Sequence, residues 1–162
     1  MIRYLGYAVT FEEVPDEVSL CISITGCTHR CPGCHSPELW QENGRDLERD
    51  LPELIGRYMD GITCVCLMGE GNDPPALQRC IFQIRKKFPD LKICVYSGGD
   101  LFPPHWVNHE CMPDYIKVGH YDQNRGGLDH PTTNQVMYQL TEKKGYRDIT
   151  YKFWRKQKGR SL

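Results

Sequence analysis

Residues 18–24 alternate apolar Val18, Leu20, Ile22 and Ile24 with Ser19, Cys21 and Ser23, and this period of two predicts a strand. The strand runs directly into a cysteine-bearing loop. Beyond it, Leu47, Leu51, Leu54, Ile55, Tyr58 and Met59 recur at helical spacing, and residues 62–68 form a continuous apolar run of strand length. Leu77, Cys80, Ile81, Ile84 and Phe88 predict a second helix, introduced by Pro74 and Pro75 where a helix start tolerates proline. Residues 91–96 read as the next buried strand and 115–118 as a fourth. A last amphipathic helix is expected around Val136, Met137 and Leu140, followed by a strand in which Ile149, Tyr151 and Phe153 share a face.

Continuous apolar strands are those covered on both faces, so strand, loop, helix and strand in repetition predict an α/β fold with parallel strands and crossover helices. About five or six strands, mostly parallel, are expected. The loops that follow them carry the unusual residues: cysteines after the first, Gly69-Glu70-Gly71 after the second, and Ser97-Gly98-Gly99-Asp100 after the third. Parallel α/β sheets place ligand sites at these carboxyl ends.

A chain of 162 residues, 40% of them hydrophobic, has room for one sizeable core and not for two ordinary domains, so residues 1–162 are expected to form a single domain. Twenty Lys plus Arg against twenty-one Asp plus Glu give a net charge of -1, which supplies no global attraction to nucleic acid or to an anionic membrane. The first residues lack the uninterrupted apolar run of a secretory signal, and no segment has the length of a membrane span. Nine cysteines is an odd number that a closed set of disulfides cannot use up. A reducing cytoplasm is the expected location, where clustered cysteines point to metal or redox chemistry.

Cys27, Cys31 and Cys34 stand in the spacing Cys-x3-Cys-x2-Cys. Three thiolates on a four-iron cluster leave one iron without a protein ligand, open to a small molecule. Two other readings use the same residues. Cys31-Pro-Gly-Cys34 could be a thioredoxin-like redox pair, which leaves Cys27 unexplained; the cysteines with His29 or His35 could close a structural zinc site in an interaction module, which leaves the later glycine loops unexplained. His35 suits a supporting place beside Cys34 better than a ligand's place. Cys21, Cys64, Cys66, Cys80, Cys94 and Cys111 lack ligand spacing and read as small core residues.

Cys-x3-Cys-x2-Cys after a first strand resembles the radical S-adenosylmethionine (SAM) superfamily. More closely, Gly-Cys-Thr-His-Arg-Cys-Pro-Gly-Cys-His-Ser-Pro-Glu-Leu-Trp at 26–40, Tyr-Ser-Gly-Gly at 96–99, Asp-Tyr-Ile-Lys-Val-Gly at 114–119 and Asn134-Gln135 resemble the anaerobic ribonucleoside-triphosphate reductase activating proteins, which are glycyl-radical activating enzymes. The resemblance implies a compact, open partial (β/α) barrel and a 4Fe-4S cluster on Cys27, Cys31 and Cys34. It implies SAM bound through its amino and carboxylate groups to the remaining iron and cleaved reductively to methionine and a 5'-deoxyadenosyl radical. The protein substrate would be the large subunit of the reductase, with an electron donor of unidentified kind. Another radical SAM activator, or a radical SAM enzyme acting on a small molecule, fits the same motif.

By this resemblance Gly69 and Glu70 occupy the place of a Gly-Gly-Glu type motif that contacts the SAM amino group, with Met68 at its first glycine position. Ser97, Lys117 and Asn134 are further SAM candidates. Each has a plainer reading: Gly69 and Glu70 as a common turn, Ser97 as part of a turn with Gly98 and Gly99, Lys117 as a solvated strand-end lysine, Asn134 as part of a helix cap with Thr132 and Thr133. Two departures mark a divergent branch, since Lys117-Val118-Gly119 stands where many such activators have Val-Asp-Gly, and Pro131-Thr132-Thr133 where they have Arg-Gly-Ser. Residues 155–162 form a short basic tail, expected to be solvated chain or a contributor to docking on the reductase.

Overall fold

In the computed structural model, which describes residues 1–158 and side chains through residue 154, the apolar runs at 19–24, 64–68, 92–96 and 115–118 become neighbouring strands. These are β2 (Ser19–Ile24), β4 (Cys64–Met68), β5 (Lys92–Tyr96) and β6 (Tyr115–Val118), following β1 (Arg3–Thr10) and the two-residue β3 (Arg45–Asp46). Parallel register joins β2 to β4, β4 to β5 and β5 to β6, with Cys21 opposite Cys66, Cys66 opposite Cys94 and Cys94 opposite Tyr115.

Both faces of this parallel centre are covered, as the continuous apolar runs require. Helices α1 (Leu47–Tyr58) and α2 (Pro74–Lys87) cover one face, where Leu51, Ile55, Leu77 and Ile81 pack with Leu20, Ile22, Val65, Leu67 and Ile93. Each fully buried aliphatic side chain of this kind contributes roughly 1.5–3 kcal/mol. Asp46 caps α1 by accepting from the Arg49 amide at 3.3 Å, and Asp73 caps α2 by accepting from Ala76 at 3.1 Å, with Pro74 and Pro75 opening that helix. The opposite face holds Cys21, Cys64, Cys66 and Cys94 with Val14, Tyr115, Met137 and Ile149. All six cysteines outside the motif are buried, and burial raises the pKa of the thiols of Cys64, Cys66, Cys80, Cys94 and Cys111, in keeping with their reading as packing residues.

The α/β class holds, while strand count and direction differ from expectation. The sheet has eight strands in the order β3-β1-β2-β4-β5-β6-β7-β8, open at β3 and β8, and only its four central members run parallel. β1 is antiparallel to β2 and β3, β6 to β7, and β7 to β8. The helix expected around Val136, Met137 and Leu140 is instead strand β7 (Val136–Leu140), because pairing with β6 decides what a three-residue pattern left open. The strand expected over Ile149, Tyr151 and Phe153 is divided. β8 (Tyr146–Asp148) ends where the Asp148 carboxylate takes the Thr150 amide at 2.9 Å and hydroxyl at 2.6 Å, and α3 (Tyr151–Lys158) begins just beyond. Of the basic stretch 155–162, residues 155–158 continue α3; residues 159–162 and the side chains from 155 onward lie outside the described residues.

At the amino ends of the parallel strands, Asp114 accepts from the Ile93 amide at 2.8 Å and pairs with Arg85 of α2 at 2.8 Å. This joins β5, β6 and α2 on the rim away from the cysteine loop. Among the described residues no helix is long and apolar enough to cross a membrane.

Candidate cluster and cofactor site

The loop after β2 is held at its base by two backbone bonds, from the Gly26 amide to Gln41 and from the Cys27 amide to Leu39. Within it the Cys34 amide bonds the Cys31 carbonyl at 3.1 Å, and the Ser36 amide donates to the Cys34 sulfur at 3.4 Å. Cys27, Cys31 and Cys34 are free thiols, each partly exposed. Among the described residues no three His, Cys, Asp or Glu side chains are gathered closely enough to hold a single metal ion. His35 turns to Tyr121, with Nε2 3.1 Å from its hydroxyl, and so supports the loop from the side.

Lys117, expected at a strand end either in solvent or on a ligand, is buried. Its ammonium donates to the Gly119 carbonyl at 2.7 Å and to the Ser97 carbonyl at 3.3 Å. Loss of water lowers its pKa to about 8 from 10.5, against the opposing influence of Cys31, Glu70 and Cys27. A cation within the field of two of the three thiols, and a backbone amide on the third, suit a donor set that carries negative charge. The residues therefore fit a thiolate-bound iron-sulfur group.

The sequence of β2, β4, β5 and β6 with their connecting loops supplies the deciding comparison, because residues 17–118 match the family described as 4Fe-4S single cluster domain. The chain belongs to that family. No curated protein and no solved structure matches it.

In this 4Fe-4S domain the loop after β4 comes up beside the cysteine loop. Gly69 stands at φ 119°, a conformation that only glycine adopts without strain, and turns the chain so that Glu70 lies against His29. The Glu70 carboxylate meets His29 Nε2 at 3.0 Å and the Trp106 indole N–H at 2.7 Å. Ser97 is buried, its hydroxyl accepting from the Gly99 amide at 3.1 Å and its amide donating to Lys117, so it makes the turn foreseen for it. Glu70, Ser97, Asp100, His29 and Trp106 line a common cleft of about 400 Å³.

Asn134 does not start a helix. It enters β7 through a turn in which the Thr133 hydroxyl accepts from the Gln135 amide at 3.0 Å. Its own amide nitrogen donates to His120 at 3.0 Å, while its Oδ1 is buried and, among the described residues, without a partner. Asp100 ties the loops after β5 and β6 together through the His120 ring and amide, which hold its carboxyl below the usual range.

Sequence reasoning missed Trp106. It stands in the irregular connection between β5 and β6, 1% exposed, at a place with no periodicity to mark it. A tryptophan following Pro103 and Pro104 was the available signal.

Lys117→Met gives a direct test of the buried charge. Below pH 8 the parent carries the full cost of burying an ammonium, on the order of 3 kcal/mol for a pKa lowered from 10.5 to about 8. That cost fades as pH rises toward 10.5, because the folded lysine is then already neutral. In the cluster-free protein the substitution is expected to raise the melting temperature at pH 7 and to raise it progressively less between pH 8 and 10.5. Equal melting temperatures at pH 7 would show that the ammonium carries no such cost.

Proposed function

We propose that this 4Fe-4S domain is a radical SAM activase, an oxidoreductase of the cytoplasm that cleaves SAM reductively and generates a glycyl radical on the large subunit of anaerobic ribonucleoside-triphosphate reductase. The observation that carries the reading is the cleft of about 400 Å³ in which Glu70 and Ser97 meet the cysteine loop. It provides room for a small molecule against Thr28 and His29 of that loop, at the carboxyl ends of the parallel strands. The open sheet then corresponds to a partial barrel of the radical SAM type, extended on both sides by antiparallel strands.

Cys27, Cys31 and Cys34 would hold a 4Fe-4S cluster as thiolates, leaving one iron for the amino and carboxylate groups of SAM. When bound and reduced by an electron donor, the cluster supplies the electron that breaks a carbon-sulfur bond of SAM. The chain's own residues bind and orient. Glu70 accepts an N–H from the SAM amino group, with Gly69 letting the backbone approach. Lys117 has three N–H groups, of which two are engaged, so one remains for a carboxylate. Asn134 offers Oδ1 to a hydroxyl or amine, which would satisfy a buried acceptor.

The test combines the anaerobically reconstituted protein with SAM, a chemical reductant and the reductase large subunit. Formation of 5'-deoxyadenosine together with an organic radical signal on the reductase is expected. 5'-Deoxyadenosine without a radical on that subunit would make the chain a radical SAM enzyme of another kind. The absence of both would overturn the reading.

A further inference from the structure

The Glu70 carboxylate is gripped from two sides by residues of two other loops. His29, from the cysteine loop, places Nε2 3.0 Å from Oε1; Trp106, from the connection between β5 and β6, places its indole nitrogen 2.7 Å from Oε2. A carboxylate only accepts, so both nitrogens act as N–H donors. Trp106 is fixed in turn, being 1% exposed and accepting through its carbonyl from the Gln78 side chain of α2 at 2.7 Å. His29 is fixed by the absence of a side chain at Gly98, where an added Cβ would lie 2.9 Å from the His29 Cγ and 3.0 Å from its Nε2. The glycine is what lets the imidazole lie over that backbone and still reach Glu70.

We propose that His29 and Trp106 are positioning residues for cofactor binding, which together set the orientation of Glu70 for the amino group of SAM. The inference rests on the function proposed above and adds two residues and a steric requirement to it. Glu70 sits between Gly69 and Gly71, both at positive φ, on a loop whose backbone has unusual freedom. Two hydrogen bonds from separate loops remove that freedom before any ligand arrives. Of the four lone-pair positions of the carboxylate, His29 and Trp106 use two, and two remain for incoming N–H donors. A group held in place beforehand spends no binding energy on being ordered. The clamp also links the loop that bears the thiols to the loop that bears the acid.

The test measures equilibrium SAM affinity, cluster content and melting temperature on the cluster-loaded parent and on Trp106→Phe, His29→Phe, His29→Gln and Gly98→Ala. Removing one charge-assisted hydrogen bond is expected to weaken SAM binding by about tenfold in Trp106→Phe and His29→Phe. Cluster content is expected to stay at the parent level. His29→Gln keeps an N–H at similar reach and is expected to restore affinity, which a packing role for the ring would not do. Gly98→Ala, which leaves all three clamp groups chemically intact, is expected to weaken binding by displacing the imidazole. A parent that binds SAM, with all four variants binding it equally, would overturn the clamp and leave the proposed function standing. A cluster-loaded parent that binds no SAM would overturn both.

Discussion

Cys31→Ala is expected to abolish iron and sulfide retention after anaerobic reconstitution, where the parent retains a 4Fe-4S cluster. The motif supplies three thiols in a loop whose base is pinned by Gly26 and Cys27. The remaining six cysteines are buried, five of them in the two cores. No other cysteine is placed to substitute, and a cluster held by two thiolates loses a third of its protein ligation in a site open to solvent. Cys111→Ala serves as the control, since its thiol is buried away from the loop, and is expected to retain the cluster. Iron and sulfide analysis with the visible absorption spectrum reads both variants. Zinc bound at full stoichiometry in the parent, with no uptake of iron and sulfide, would contradict the assignment.

Glu70→Ala is expected to keep the cluster and to lower SAM cleavage by roughly 10–100-fold, the effect of losing one or two charge-assisted contacts. The carboxylate is not among the three thiol ligands, so iron-sulfur content is expected to stay near the parent level. Its removal costs the proposed cofactor contact and also strips the indole N–H of Trp106 of its acceptor. Cleavage is read as 5'-deoxyadenosine formed under reducing conditions, beside iron content in the same samples. Equal cleavage by variant and parent would remove Glu70 from the cofactor site.

The central strands were legible because each is a run of apolar residues bounded by turns, and both faces of β4 and β5 are buried. The cysteine triplet was legible because its spacing is local. β7 was not, since Val136, Met137 and Leu140 fit a helical stripe as well as a short strand, and the choice lies in hydrogen bonds to β6. The position of Lys117 turned on tertiary structure in the same way. A lysine at the end of a short strand reads as solvated, and here the backbone carbonyls of Ser97 and Gly119 draw it inward. Glu70 could be named from its sequence context, whereas Trp106, thirty-six residues away, reaches it only through the fold.

The parallel centre also divides the molecule by its tolerance of change. At the carboxyl rim, the loops after β2, β4, β5 and β6 are mutually dependent, so a substitution at Gly98 is felt at His29 and passed to Glu70. At the amino rim, Asp114 with Arg85 and the Ile93 amide fastens strands to a helix without touching those loops. The contact at the amino rim is thus a matter of stability, whereas at the carboxyl rim several residues must fit jointly. Descendants of this chain can be expected to change within single pairs such as Asp114 and Arg85 at one end of the sheet, and in concert across several loops at the other.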